Sequence, residues 1–443
     1  MAETFEKPMD INWITIFYVL LLFGSLAAGL WVAFAMMLVG VVGIFFWMPP
    51  GSMKILGYIP FTNTNSFVLT AIPLFIFMGE VLFRSGISDR LYEKLTPFFS
   101  RFPGQLFHTN IASCAVFAAA CGSSPATAAT IGTVALPQLL SRGYDAKLAL
   151  GSIAAGGTLG ILIPPSIIMI IYGSIVGESI AQLFLAGVIP GIMISFLFML
   201  YIGIRCKAEP GLAPVMEKAP WKEGLKGLLG VWPMGVLFIA VLGGIYAGVV
   251  TATEAAGVGA AGAFFLALGY GKMDWKAFKQ ATLNSVRTTS MVMILIVGSN
   301  VMVVALANLK VPEYLVKGTI GLNMSPLTVL VIICIFYLIL GSLMDGVSMI
   351  VLTLPMTYPI VKSLGFDSVW FGIIIVILVE LALLTPPVGI NLYILHGLRP
   401  DLPWGNVIQG SVPFIMILCV AIVILTLFPQ LVLWLPNRMM APG

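Results

Sequence analysis

Residues 157–166 read Gly-Thr-Leu-Gly-Ile-Leu-Ile-Pro-Pro-Ser, and residues 381–389 read Leu-Ala-Leu-Leu-Thr-Pro-Pro-Val-Gly. Each stretch places two consecutive prolines inside a long apolar run. Proline has no backbone N–H, so a Pro-Pro pair leaves carbonyl groups of the preceding turn without partners. The two stretches therefore predict two broken helices, one in each half of the chain.

The whole sequence is apolar. Of its 443 residues, 60% are hydrophobic and only 9% are charged, whereas about 25% are charged in a soluble domain. The apolar runs are longer than the roughly ten-residue alternating segments of a membrane β-barrel, and they suit spanning helices of about 20 residues. We therefore predict an all-α polytopic membrane protein with no soluble domain. The net charge of +4 is too small to indicate nucleic-acid binding.

A short break divides the apolar run 106–140. It reads Cys-Gly-Ser-Ser-Pro-Ala-Thr at residues 121–127, and the flanking connections 84–105 and 141–147 both contain Lys and Arg. Short basic loops remain in the cytoplasm. Because both ends of the run then lie on one membrane face, the run is predicted to be a re-entrant helical hairpin.

The run 326–363 is built in the same way around Gly-Ser-Leu-Met-Asp-Gly-Val-Ser at residues 341–348, and it predicts a second hairpin. An odd number of crossings between the two hairpins places the second on the opposite face. We predict five crossings there, at 146–177, 180–204, 231–250, 254–271 and 288–309. The basic connection 272–287 separates the last two.

A shift of 222 residues aligns the two halves, because it brings Asp145 onto Asp367 and Pro164 onto Pro386. Together with the opposed hairpins, this predicts an inverted repeat. Internal repeats of this kind are typical of secondary transporters, which bind substrate and coupling ions where the repeats meet.

The breaks suggest where ions would bind. Main-chain carbonyls and hydroxyl groups at unwound segments are the ligands that transporters offer to Na⁺. We expect the break 122–127 to face residues 160–166, and the break 341–348 to face residues 382–388. The alternative for each Pro-Pro element is a simple proline kink, but two elements at equivalent positions favour ion sites.

Two acidic residues have local partners in the sequence. Glu80 stands four residues before Arg84, a spacing that predicts an ion pair on one helix. Thr251-Ala-Thr-Glu254 has the spacing of a capping box at a helix start. We interpret both as structural.

Two further acidic residues, Asp345 and Glu380, lie inside apolar runs and leave alternatives open. Asp345 at a hairpin tip either gates substrate or makes a structural hydrogen bond. Glu380 either tunes the second ion site or braces it. The sequence has no HExxH and no Walker A motif, so we expect no enzyme, no cofactor and no metal other than Na⁺.

Four motifs resemble those of the large membrane subunit of tripartite ATP-independent periplasmic (TRAP) transporters, the DctM family, over nearly the whole chain. They are Gly122-Ser123-Ser124-x-Ala126-Thr127, Gly157 to Ser166 in full, Thr251-x-Thr253-Glu254-Ala255-Ala256, and Leu384-Thr385-Pro386-Pro387-x-Gly389-x-Asn391-Leu392. The resemblance implies an elevator-type transporter that imports organic acids on a sodium gradient. It also implies two partners, a small four-helix membrane subunit (DctQ type) and a periplasmic substrate-binding protein (DctP type).

The resemblance also implies the site residues. Sodium would bind where each hairpin break meets its unwound helix, and substrate would lie between the hairpin tips. The implied sodium residues are Ser123, Ser124, Thr127, Gly160 and Ser166 in the first half, with Gly341, Ala382, Thr385 and Val388 in the second. The implied substrate residues are Ser124, Pro125, Asp345 and Gly346. Ala382 stands where the family often has Gly; a main-chain carbonyl ligand would survive that change, whereas a requirement for glycine geometry would not.

On this basis we divide the chain into scaffold and transport segments. The segments are N-terminal scaffold helices (1–105), the first hairpin and broken helix (106–177), connecting scaffold helices (178–325), the second hairpin and broken helix (326–399) and a C-terminal helix (400–443).

The expected protein is a sodium-coupled importer in a bacterial inner membrane. C4-dicarboxylates are the expected substrates, since the chain most resembles the dicarboxylate branch. The alternative is a stand-alone sodium/dicarboxylate symporter, and an intramembrane enzyme or a channel is a more distant one.

Overall fold

The computed structural model describes residues 11–214, 217–271 and 273–439. These residues form helices and connections, without β-strands. The predicted all-α fold is therefore confirmed for the described chain. Lys272, the first residue of the predicted connection 272–287, lies outside the described residues.

The helices have the following bounds. The first five are α1 (Ile11–Ala27), α2 (Val32–Trp47), α3 (Ile55–Thr64), α4 (Ala71–Arg84) and α5 (Ile87–Phe99). The next six are α6 (Leu106–Cys121), α7 (Ser124–Ser141), α8 (Ala146–Leu162), α9 (Ile167–Val176), α10 (Ile180–Ala208) and α11 (Trp221–Leu229). Then come α12 (Trp232–Phe238), a π-helical turn (Ile239–Gly243), α13 (Gly244–Tyr246), α14 (Ala252–Gly269), α15 (Trp275–Asn308) and α16 (Val311–Gly321). The last six are α17 (Pro326–Gly341), α18 (Gly346–Ser363), α19 (Ser368–Leu384), α20 (Ile390–Leu398), α21 (Trp404–Leu427) and α22 (Gln430–Met439).

Several of these helices are long and apolar enough to cross a membrane. Among the described residues there are five such segments, or up to seven if each of two bent helix pairs forms one span. The five are Ala146–Val176, Ile180–Ala208, Ala252–Gly269, Trp275–Asn308 and Trp404–Leu427.

Some predicted connections are helical instead. Residues 84–105 contain α5, and most of 272–287 belongs to α15, which begins at Trp275. Both segments carry charges that lower their hydropathy, but Lys and Arg are good helix formers. The C-terminal run 407–435 forms two helices rather than one, because the chain breaks at Phe428 and Pro429, and proline cannot continue a helix.

The two local pairings predicted for acidic residues are confirmed. Arg84 Nη2 lies 3.4 Å from Glu80 Oε2. Thr251 and Glu254 form the reciprocal capping box at the start of α14, in which Glu254 Oε2 accepts from Thr251 N at 2.8 Å. Both carboxyl groups therefore have structural roles.

The chain divides into two compact units. Unit 1 contains the described residues up to Ser66, with Ser290–Phe336 and Val347–Asp367. Unit 2 contains Phe67–Thr289, Tyr337–Gly346 and the described residues from Ser368 onward.

In unit 1, helices α2 and α15 pack closely against each other at glycine residues. A Cβ atom at Gly40 of α2 would lie 2.5 Å from the carbonyl carbon of Val301 in α15, and one at Gly298 would lie 2.5 Å from the carbonyl oxygen of Ala33. Close backbone approach at small residues is the usual way in which membrane helices associate. Helices α2 and α15 are thus in direct main-chain contact.

Unit 2 is built around α8, which packs against α6, α7, α19 and α21. Small residues again make the contacts. A Cβ atom at Gly157 would lie 2.6 Å from Cβ of Ala128 in α7, and Gly151 lies directly on the carbonyl group of Gly410 in α21. Helix α8 of the first broken helix is therefore almost fully enclosed, with 15 of its 17 residues buried.

The helix boundaries repeat along the chain. Helices α7 and α18 begin at Ser124 and Gly346 and have 18 residues each, and α8 and α19 begin at Ala146 and Ser368 and have 17 residues each. Both pairs are displaced by 222 residues, the same shift that aligns the sequence motifs. The Pro-Pro peptide bonds that follow α8 and α19 are both cis. The two halves thus share one local construction.

Candidate functional site

The first break is a short non-helical link between α6 and α7. Gly122 ends α6 in the left-handed conformation, with φ of 64°, and Ser123 is extended before α7 begins at Ser124. The side chain of Ser123 makes no capping hydrogen bond to α7. The left-handed residue requires glycine for low strain, so the sequence Gly-Ser-Ser is suited to this link.

The first broken helix is interrupted between Leu162 and Ile167. Ile163 and Ser166 have extended backbone, and the Ser166 hydroxyl accepts from Met169 N at 3.4 Å to cap α9. Ser166 is fully buried. One implied sodium residue therefore already has a capping role.

The structure brings these two segments together, as we predicted. A Cβ atom at Gly160 would lie 2.7 Å from the carbonyl oxygen of Ser123 and 2.8 Å from Oγ1 of Thr127. A Cβ atom at Gly122 would lie 2.7 Å from the carbonyl oxygen of Pro165. Two glycines thus allow main-chain and hydroxyl oxygens to lie at the contact between the break and the broken helix, and we refer to Ser123 O, Thr127 Oγ1 and Pro165 O as the oxygen cluster.

Two hydroxyl groups organise this cluster. The Ser124 hydroxyl donates to the carbonyl oxygen of Thr158 at 2.8 Å, and the Thr127 hydroxyl donates to that of Ser123 at 2.8 Å. Both side chains are fully buried. Their donors are occupied within the protein, so the lone pairs of Thr127 Oγ1 remain for a cation.

The second break lies between α17 and α18, and it too contacts its broken helix. Val388 N donates to the carbonyl oxygen of Ser342 at 3.1 Å. Gly346, the first residue of α18, lies directly against the Val379 side chain in α19. Ser342 and Val388, both in unit 2, therefore join the second break to its broken helix, as predicted, although Ser342 was not among the implied site residues.

The second broken helix ends differently from the first. Thr385 closes α19, since its hydroxyl donates to Leu381 O at 2.7 Å and its N–H to Ala382 O at 3.3 Å. Gly389 then adopts a left-handed conformation before α20. Both Gly341 and Ala382 are buried.

The shift of 222 residues shows how the two sites differ. Ser124, Thr127 and Ser166 correspond to Gly346, Met349 and Val388, so three hydroxyl groups of the first site have no counterpart in the second. Gly160 corresponds to Ala382, and Ser123 corresponds to Asp345. Any cation at the second site would depend on main-chain carbonyls, on the Thr385 hydroxyl and on a carboxylate.

The implied substrate residues differ in accessibility. Ser124 and Gly346 are buried, whereas Pro125 and Asp345 are half-buried. Because the Ser124 hydroxyl already donates to Thr158, a ligand would meet Pro125 and Asp345 more readily. Substrate contact by these four residues stays a prediction.

Glu380 is a buried carboxyl group in α19, the helix that leads into the second Pro-Pro break. It is 0% exposed, and neither Oε atom has a hydrogen-bond partner among the described residues. It lies two residues before Ala382 and corresponds to Thr158 in the first half. Such a group is a functional candidate because an unpaired buried carboxyl is costly.

The donor atoms at both sites are hydroxyl, carbonyl and carboxyl oxygens. Across the residues that the structure describes, no three His, Cys, Asp or Glu side chains cluster as a metal-binding group. The chemistry of the first site therefore suits a hard, weakly bound cation better than a transition metal.

Comparison with known proteins identifies the family. Residues 19–431 match the model of the tripartite ATP-independent periplasmic transporter, DctM component. The chain belongs to this family of TRAP transporter large permeases. It is accordingly a multi-pass membrane protein, and the relatives described next are named as transport permeases.

Individual relatives agree over most of their length. The chain is 34% identical over 391 residues to the C4-dicarboxylate TRAP transporter large permease protein DctM of Pseudomonas aeruginosa. The aligned region covers 88% of this chain and 90% of the relative. It is 30% identical over 414 residues to the 2,3-diketo-L-gulonate TRAP transporter large permease protein YiaN of Escherichia coli, covering 93% and 96% of the two chains.

A solved structure shares the fold at low sequence identity. The Alcanivorax borkumensis YdaH transporter matches with a TM-score of 0.60 and 15% identity, over 87% of this chain and 89% of that one. This likeness concerns the fold alone.

Proposed function

We propose that this TRAP large permease is a sodium-coupled importer of small carboxylates. The observation that carries the proposal is the oxygen cluster of the first site. Ser123 O, Thr127 Oγ1 and Pro165 O all lie against glycine surfaces where the break meets the broken helix. Discontinuous membrane helices with free carbonyls are the usual sodium sites of secondary transporters.

The first sodium ion would be held by Ser123, Ser124, Thr127, Gly160 and Ser166, either by side chain or by main chain. The second would be held by Gly341, Ala382, Thr385 and Val388. Since a carbonyl ligand does not depend on the side chain, Ala382 at the position of Gly160 can still contribute its main-chain oxygen.

The architecture that we propose is an inverted repeat with two re-entrant hairpins, α6–α7 and α17–α18. Matching helix bounds in the two halves support the repeat. In an elevator mechanism the segments 106–177 and 326–399 would move as the transport domain, and the segments 1–105 and 178–325 would form the scaffold. Alternating access through repeat motion is common in such folds.

The substrate class that we propose is the small carboxylates, with C4-dicarboxylates first. One relative is named for C4-dicarboxylate and another for 2,3-diketo-L-gulonate, and both of these compounds carry carboxylate groups. The N-terminus of α7 at Ser124 and Pro125 provides a positive dipole end for a carboxylate. Asp345 and Gly346 would lie on the opposite side of the substrate.

We further propose two partners, a small four-helix membrane subunit and a periplasmic substrate-binding protein, in a bacterial inner membrane. A chain that works alone as a sodium/dicarboxylate symporter is the alternative. An intramembrane enzyme or a channel is less well supported, since the named relatives are permeases.

Reconstitution in proteoliposomes tests this function. With both partners and an inward sodium gradient, we expect accumulation of a labelled dicarboxylate, and replacement of sodium by choline should abolish it. Thr127→Ala and Thr385→Ala, which each remove a hydroxyl group from a proposed site, should each raise the sodium concentration required for half-maximal uptake. Uptake by the chain alone would support the stand-alone symporter, and uptake that ignores the sodium gradient would refute the proposal.

A further inference from the structure

A short helix outside the proposed transport site has an unusual exposed face. Helix α11 has 9 residues, so it is about 13 Å long at 1.5 Å per residue. A bilayer hydrocarbon core is about 30 Å thick. Helix α11 is therefore too short to cross the membrane by itself. It forms one of the two bent pairs with Trp232–Tyr246, and the 42° bend between them turns α11 away from the direction of that segment.

Two glycines lie on the side of α11 that packs against α5. Gly224 and Gly227 are its buried residues. A Cβ atom at Gly224 would lie 3.1 Å from Cα of Phe98 in α5, and Gly227 lies directly on the carbonyl oxygen of Lys94. Because the glycines face α5, the large apolar side chains of α11 are left on the outside.

The beginning of α11 is held in place by the end of α5. The Arg101 guanidinium lies 4.8 Å from the centre of the Trp221 ring, and its Nε donates to the carbonyl oxygen of Ala219 at 2.9 Å. The N–H of Ala219 donates to the Ser100 hydroxyl at 3.1 Å. The outward face of α11 therefore has a defined direction.

That outward face is apolar with a basic border. Trp221, Leu225 and Leu229 are 58%, 57% and 69% exposed. At about 100° per residue, the exposed Lys222 and Lys226 lie along one edge of this stripe. Glu223 points about 200° away from Trp221, on the side remote from the stripe.

We propose that α11 lies in the membrane surface and binds anionic phospholipid headgroups. Its apolar stripe would enter the boundary between headgroups and acyl chains, and Lys222 and Lys226 would reach the phosphates. Helices with Trp and Leu on one face and Lys beside it bind membranes in this way. Anionic lipids attract each basic residue near the surface. The lysine border thus favours lipid over an uncharged protein surface.

Hydrogen–deuterium exchange of the purified full chain in nanodiscs tests this proposal. Peptides covering 221–229 are compared in phosphatidylcholine alone and in a mixture with phosphatidylglycerol. We expect exchange to be roughly fivefold slower or more in the anionic mixture. Lys222→Gln with Lys226→Gln should remove this difference, and Lys222→Arg with Lys226→Arg should keep it.

A matched control uses two exposed lysines of α15, Lys276→Gln with Lys279→Gln, which should keep the full lipid effect at α11. Equal exchange in both lipids for the wild type would overturn the proposal. The proposal would also be overturned if the control variant lost the lipid effect at α11 to the same extent as Lys222→Gln with Lys226→Gln. Protection that depends on the small membrane subunit, and not on phosphatidylglycerol, would show that a protein covers this face instead.

Discussion

Gly160 lies against the main chain of Ser123, so closely that a Cβ atom on Gly160 would be 2.7 Å from the Ser123 carbonyl oxygen. Real Cβ atoms do not approach other atoms this closely, so only glycine permits the contact. The distance between the first break and the first broken helix is therefore set by the absence of one side chain. The proposed sodium site depends on that distance.

Gly160→Ala should consequently impair transport. The added methyl group would force the Ser123 carbonyl away from the broken helix, and overpacking of this kind costs about 1–3 kcal/mol. We expect sodium-dependent uptake to fall about tenfold or more at limiting sodium. Gly257→Ala in α14, where a Cβ atom would meet open space, is the control. Wild-type uptake by Gly160→Ala would contradict the close-contact geometry.

The contact between Gly346 and Val379 at the second break can be tested with a compensating substitution. Gly346 lies directly against Val379, so Gly346→Ala should lower the thermal midpoint of the purified chain. Val379→Ala removes the obstructing methyl groups and should restore part of the loss in the double variant. We expect a coupling energy of about 1 kcal/mol or more in the double-mutant cycle. Strictly additive effects would argue against contact between the two residues.

Substitution of Glu380 tests two hypotheses. One is that this residue tunes the second ion site, and the other is that it braces the structure. Since neither carboxyl oxygen has a described hydrogen-bond partner, we expect Glu380→Gln to fold with an unchanged or higher thermal midpoint. A cation bound at the second site would favour the charged form of the Glu380 carboxyl, and Glu380→Gln, which cannot carry that charge, should then weaken cation binding. The sodium concentration for half-maximal uptake should therefore rise several-fold.

Glu93→Gln, which removes an exposed carboxyl group of α5, is the control for Glu380. An unfolded Glu380→Gln protein would favour the bracing role. An unchanged sodium requirement would exclude a direct effect of Glu380 on the ion site.

The sequence predicted those parts of the fold that depend on local chemistry. Proline pairs marked the two broken helices, the Gly-Ser-Ser link marked the first break, and the spacing of Thr251 and Glu254 marked a capped helix start. Each of these signals requires only neighbouring residues. The structure agrees with them because tertiary packing has little freedom to override proline or a left-handed glycine.

Other features could not be predicted from local patterns. Helices α5 and α11 carry charges on one face, so they resemble connections when only hydropathy is considered. The pairing of Ser342 with Val388 joins segments 46 residues apart through main-chain atoms, which carry no residue-specific signal. The closeness of Gly160 to Ser123 likewise depends on how α8 packs against α7.

Two threonines on one helix allow the most direct test of sodium binding. Thr127 and Thr133 both lie on α7, and each donates its hydroxyl to the carbonyl four residues earlier at 2.8 Å. Only Thr127 lies beside Gly160, whereas Thr133 is exposed. Replacement of either by alanine therefore removes the same local hydrogen bond, but only one change removes an oxygen from the proposed site.

The decisive measurement is the thermal midpoint of the purified chain in sodium compared with choline. A ligand that binds only the folded state raises the midpoint as its concentration rises. We predict that sodium raises the midpoint of the wild type and of Thr133→Ala by the same amount, and that Thr127→Ala loses most of this shift. A full sodium shift in Thr127→Ala would contradict the proposed sodium site.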